Sequence, residues 1–106
     1  MNCRDLQPGD VVIHRFNSQK HRPWLVLWVD DDEGMCLVAA ITKTGISGMS
    51  IVKLGVPESF RYGTLGVWVM KWPVGAISPS YVTRYPEITP EIVAQARAAI
   101  AKEMDL

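Results

Sequence analysis

The sequence predicts a mostly-β chain that ends in one helix, with its strands bent into a single small barrel. Three observations carry this expectation. Short runs rich in Val, Ile, Trp and Leu recur along the chain, each closed by Gly, Pro, Asp or Ser. A complete helix-start signal occurs once, at Thr89-Pro90-Glu91 near the C-terminus. At 106 residues, the chain has room for one hydrophobic core and one domain, 1–106.

The chain opens with a turn at Leu6-Gln7-Pro8-Gly9-Asp10 that leads into a first strand, Val11 to Phe16. Alternation there sets Val12, His14 and Phe16 on one face. A histidine at such a position is more often a hydrogen-bonded sheet residue than a catalytic one. A polar loop, Asn17 to Arg22, joins this strand to the stretch around which the rest is organised, HRPWLVLWV from His21 to Val29. Its run without polar groups reads as a strand buried on both faces, with Pro23 at its first residue where the missing N–H does least harm. Trp24, Val26 and Trp28 are expected to share one face, and Leu25, Leu27 and Val29 the other.

An acidic turn, Asp31 to Gly34, leads to a third strand, Met35 to Thr42, by a hairpin connection. In the resulting antiparallel meander the far end of the third strand lies beside the near end of the second, so Arg22 and Thr42 become neighbours. The Gly/Ser/Thr-rich stretch Lys43 to Ser50 is expected as a surface loop leaving from that end. Ser50 to Leu54 and Thr64 to Met70 read as two more strands, and Pro73 ends the latter. Trp68, Met70 and Trp72 share a face, expected as core or dimer interface rather than a base-stacking platform. Pro79 to Pro86 reads as a turn of helix or irregular chain. The helix runs from the Thr89 cap and Pro90 to about Met104, with Ile92, Ala96, Ile100 and Met104 as its buried stripe. Five strands and a terminal helix in this length indicate an SH3-like barrel.

Eleven basic and eleven acidic residues cancel, so no global field points to nucleic acid or membrane. Locally the balance differs: from Val11 to Val29 the charges are Arg15, Lys20 and Arg22, with His14 and His21 beside them and no carboxylate. The two cysteines, Cys3 and Cys36, do not make a disulfide framework, and with two histidines they give no metal-ligand spacing. No apolar stretch approaches the roughly 20 residues needed to span a bilayer. The expectation is a cytoplasmic protein without metal or cofactor. The tryptophans at 24, 28, 68 and 72 exceed what one small barrel is expected to bury, which points to a homodimer.

The succession Gly9-Asp10-Val11-Val12, then His21-Arg22-Pro23 opening an apolar strand, then Val38-Ala39-Ala40-Ile41-Thr42, resembles the MazF/PemK toxin family. The helix after Thr89-Pro90-Glu91 is similar too, so the resemblance spans nearly the full length. It implies a homodimeric, metal-independent endoribonuclease that cuts single-stranded RNA and pairs with a cognate antitoxin protein. It also implies that the catalytic arginine is Arg22 and the catalytic hydroxyl is that of Thr42. Where the family usually carries an Asp/Glu-Gln pair followed by Arg, this chain reads Val69-Met70-Lys71-Trp72-Pro73-Val74, and its Asn17 to His21 loop is shorter.

Arginine is a poor proton acceptor, so Arg22 is assigned to charge stabilisation. A general base is sought at His14 or His21, whose ordinary pKa lies near neutrality. Arg15, Lys20, Lys43 and Lys71 are expected to line the RNA groove, giving phosphate-dominated binding with weak sequence preference. The alternative reading is a catalytically inactive SH3-like module that binds a peptide or nucleic acid.

Overall fold

The computed structural model describes residues 6–17, 20–42 and 50–104, with backbone alone for 14–17 and 20–21. Among the described residues, six strands, β1 (Val11–Asn17), β2 (Lys20–Asp30), β3 (Met35–Ile41), β4 (Ile51–Lys53), β5 (Thr64–Pro73) and β6 (Val82–Thr83), precede one α-helix, α1 (Pro90–Glu103). They form one antiparallel sheet in the order β4-β5-β3-β2-β1-β6. β4 and β6 are the two edges and do not pair with each other, so the sheet is open and the expected closed barrel is not formed. Strands of three and two residues offer too little ladder to complete a closure. The sixth strand falls inside the stretch expected to be irregular. It escapes notice because two residues carry no readable alternation.

Each face of the sheet has its own core. On one, Leu25, Leu27, Ala39, Ile41, Val52 and Leu65 meet Ile92, Val93, Ala96 and Ile100 of α1. On the other, Val12, Trp24, Val26, Val38, Ala40 and Trp72 meet Leu6, Val74 and Ile77. Double-sided burial explains why β2 reads as an unbroken apolar run. Trp68 and Met70 pack against the second core together with Trp72, as the alternation of β5 requires. Trp24 is fully buried, Trp72 nearly so and Trp68 half-buried, leaving Trp28 as the exposed tryptophan. A single chain thus accommodates most of the indole surface, and a surplus of tryptophan is no argument for a partner.

Two details of β2 depart from expectation. Pro23 is an interior residue, paired with Ile13, because β2 starts at Lys20. The β2–β3 ladder begins only at Trp24 opposite Ala40, one residue past the proline, as a missing donor dictates. Further on, the register shifts between Val26 and Trp28, so that Val26 pairs with Val38 and Trp28 with Leu37. This bulge at Leu27 turns Trp28 away from Trp24 and Val26 and onto the helix side of the sheet. There the Arg97 guanidinium lies 5.2 Å from the Trp28 ring centroid, and Arg97 Nε donates to the Leu27 carbonyl at 2.7 Å. An arginine from α1 therefore holds the bulge.

The helix forms as expected. Thr89 Oγ1 accepts from the Ile92 N–H at 3.3 Å, a cap worth about 1 kcal/mol, with Pro90 at the first helical position. Its buried stripe is Ile92, Val93, Ala96 and Ile100, whereas Met104 is exposed beyond the end of the sheet contact.

Candidate nucleic-acid interface

The end of the sheet where β2 begins gathers several of the expected residues. β1 and β2 pair His14 with Arg22. Leu25 pairs with Ala39 and Trp24 with Ala40, and that register, continued two residues outward, sets Arg22 opposite Thr42. Beyond it, the Thr42 N–H donates to the Thr64 carbonyl at 3.1 Å, so β5 lies alongside. The paired residues of β2 and β3 end at Trp24 and Ala40, and the Arg22–Thr42 neighbourhood is what that register gives when extended.

Arg22 is half-buried, with its guanidinium carbon 5.6 Å from the Trp68 ring centroid. Trp68 in turn meets Trp24 edge to face at 5.2 Å, and Trp24 meets Trp72 at 4.9 Å. These contacts hold Trp68 on the face away from α1, and Trp68 holds the arginine. Such a cation–π contact is worth about 0.5–2 kcal/mol, depending on desolvation. A cation–π contact through the face of a guanidinium does not use up its N–H donors, which can still bond two oxygens of a carboxylate or a phosphate. Among the described residues, no carboxylate forms an ion pair with Arg22.

The other expected residues divide. Arg15, Lys20 and His21 belong by their backbone to β1 and β2, next to Arg22, and Lys43 lies outside the described residues. Lys71 does not join them. It pairs with Leu37, five residues along β3 from Thr42, about 17 Å at roughly 3.3 Å per residue. Its ammonium contacts Glu33 at 3.1 Å beside the acidic turn, so it does not widen a groove at Arg22. Among the described residues, no cluster of three or more His, Cys, Asp or Glu could hold a metal ion.

The Gly9-Asp10 pair has a structural role here. Gly9 has φ +99°, its N–H donates to the Val26 carbonyl at 2.8 Å, and the Asp10 carbonyl accepts from the Val26 N–H at 2.9 Å. The Asp10 carboxylate is 1% exposed and accepts from Arg84 Nε at 2.8 Å, from Arg84 Nη2 at 3.1 Å and from the Gln7 N–H at 2.9 Å. Arg84 and Arg97 are cations whose structural contacts sequence reasoning missed. Arg84 follows the two-residue β6 and Arg97 stands in the alanine-rich run of α1, each far along the chain from its partner, and nothing local signals the contact.

Beside the β4–β5 connection, Phe60, Tyr62 and Tyr85 pack mutually edge to face, with Arg61 4.7 Å from the Tyr62 ring centroid. A hydrogen bond with Tyr85, and then the charge of Tyr62, raise the Arg61 pKa above its ordinary value. Burial, and then the neighbouring Tyr85, push the Tyr62 phenol above its ordinary 10.0. The fold therefore favours the neutral phenol, a contribution fully present below pH 10.0 and lost as pH rises through the higher folded value. Tyr62→Phe is expected to reduce the alkaline loss of stability relative to wild type, read from melting temperatures across the alkaline range. A stability difference between the two proteins that does not change with pH would overturn this.

These features define a class: an open antiparallel sheet, helix-backed on one face, that presents an indole-stacked arginine beside a threonine at a strand end of the other. No family model, no curated protein and no solved structure matches the chain.

Proposed function

We propose that the protein is an endoribonuclease acting on single-stranded RNA, the toxin member of a toxin–antitoxin pair of the MazF/PemK kind. The observation that carries this reading is the Arg22–Thr42 juxtaposition, with the arginine stacked on Trp68 and no carboxylate among the described residues paired to it. In the reaction, the ribose 2′-OH attacks the adjacent phosphorus. The new O–P bond forms as the bond to the 5′-oxygen breaks, giving a 2′,3′-cyclic phosphate and a 5′-hydroxyl. Charge accumulates on the non-bridging oxygens, where the guanidinium fork and the Thr42 hydroxyl stabilise it. A base takes the 2′-OH proton, and the departing 5′-oxygen receives one. The register opposite Arg22 favours His14 for the first of these transfers.

The resemblance extends the proposal to a metal-independent reaction, a homodimer and an antitoxin partner. The experiment is cleavage of a single-stranded RNA by purified protein in EDTA, beside the same oligonucleotide carrying 2′-deoxy sugars. Cleavage of the first alone, with a cyclic phosphate end, is the expected result. Cutting of the deoxy strand, or no cutting of either, would overturn it. One observation favours a second reading, a silent RNA-binding module. Lys71 stands where the family has a carboxylate, and it contacts Glu33 rather than approaching Arg22. RNA binding without cleavage would select that reading.

A further inference from the structure

The row of residues that begins at Arg22 does not stop at Thr42. Thr42 bonds to Thr64 through the backbone, and Thr64 pairs with Lys53 on β4. With the β2–β3 register extended two residues past Trp24–Ala40, the row across β2, β3, β5 and β4 is Arg22, Thr42, Thr64, Lys53. Alternation puts all of these on the face away from α1. Ile41, Leu65 and Val52, the immediate chain neighbours of the last three, are buried in the helix-side core, and Trp24, two residues from Arg22, is in the opposite core. The row therefore has a cation at each end and hydroxyls between, with no carboxylate in it.

Lys53 is exposed, and among the described residues it forms no ion pair. With Thr64, Arg61, Phe60 and Glu58 it lines a cleft of about 570 Å³ formed by the β4–β5 connection. Three strand spacings of roughly 4.8 Å separate Arg22 from Lys53, about 14 Å in all. That is too far for one phosphate to touch both.

We propose that Lys53, with the Thr64 hydroxyl, binds a second phosphate further along the same RNA strand, so that the strand crosses the sheet along this row. The proposal rests on the reading of Arg22 and Thr42 as the RNA-cleaving centre and deepens it by giving the substrate's path. A lysine suits this role. As a mobile point charge it neutralises a phosphate without reading the base, whereas the scissile phosphate meets the fork of Arg22.

The test is binding of uncleavable 2′-O-methyl oligouridylates by fluorescence anisotropy over a salt series. One is a dinucleotide with a single phosphate, and the other is long enough to cross the sheet. Lys53→Ala is expected to weaken binding of the long strand severalfold and to flatten its log K against log salt slope by about 0.7, the value for one phosphate contact on a single strand. Dinucleotide binding should be unchanged. Lys102→Ala, at the exposed end of α1, should leave both unchanged, and Lys53→Arg should retain binding. If Lys53→Ala fails to fold, Lys53→Met is read in its place.

If wild type binds and cleaves but the Lys53 variant keeps the full salt slope, the path is wrong while the cleavage reading stands. An equal loss on the dinucleotide would also overturn the second-phosphate assignment. Failure of wild type to bind the long strand would overturn both.

Discussion

Replacing Arg22 by alanine is expected to lower RNA cleavage by roughly two to three orders of magnitude, the usual loss for removing a donor aimed at charge that develops in the transition state. The fold should survive, because what the Arg22 side chain gives the folded state is its cation–π stack on Trp68, worth about 0.5–2 kcal/mol. Arg22→Lys should also fail, since a compact ammonium neither stacks as a plane nor offers a bidentate fork. Because charge stabilisation acts at the transition state, kcat should fall further than binding of an uncleavable strand. Single-turnover cleavage beside a melting curve checks both halves. An unchanged rate in either variant would remove Arg22 from the chemistry.

The largest effect on stability is expected from Arg84→Ala. The Asp10 carboxylate is 1% exposed and receives two hydrogen bonds from Arg84, so the truncation leaves a buried charge with the Gln7 N–H as its remaining donor among the described residues. Stranding a buried charge typically costs about 3–5 kcal/mol. The Arg84 side chain is itself 58% exposed, so water can approach from its side. A loss of about 2–3 kcal/mol follows, which for a domain of this size corresponds to roughly 10–20 °C in Tm. Asp10→Asn should cost less, because it removes the charge while keeping an oxygen for Gln7. Thermal unfolding of the three proteins decides the matter, and an Arg84→Ala melt within about two degrees of wild type would show that the pair does not hold this end of the sheet.

Much of this arrangement was legible without coordinates because its signals are local. The Thr89-Pro90-Glu91 start is a backbone instruction complete within one helical turn. The apolar run of β2 and the Asp/Gly turn after it specify a hairpin, and a hairpin makes the Arg22–Thr42 neighbourhood a matter of counting. The shared face of Trp68, Met70 and Trp72 follows equally from alternation.

What only the tertiary structure decided depends on which distant segments meet. Counting fails at Trp28, because the Leu27 bulge is stabilised by Arg97 from the far end of the chain, and no residue near 27 announces it. Asp10 reads as an exposed turn residue until Arg84 covers it. Lys71 belonged with Arg22 on composition, yet β5 runs antiparallel to β3 and carries it toward Glu33. Lys53 had no assigned role because its place in the row needs β5 to lie between β3 and β4. Alternation and capping determine the backbone a residue adopts and the face it occupies. The order in which strands join the sheet, and whether its edges meet, are set by burial and pairing summed over the whole molecule, which no single stretch of sequence encodes.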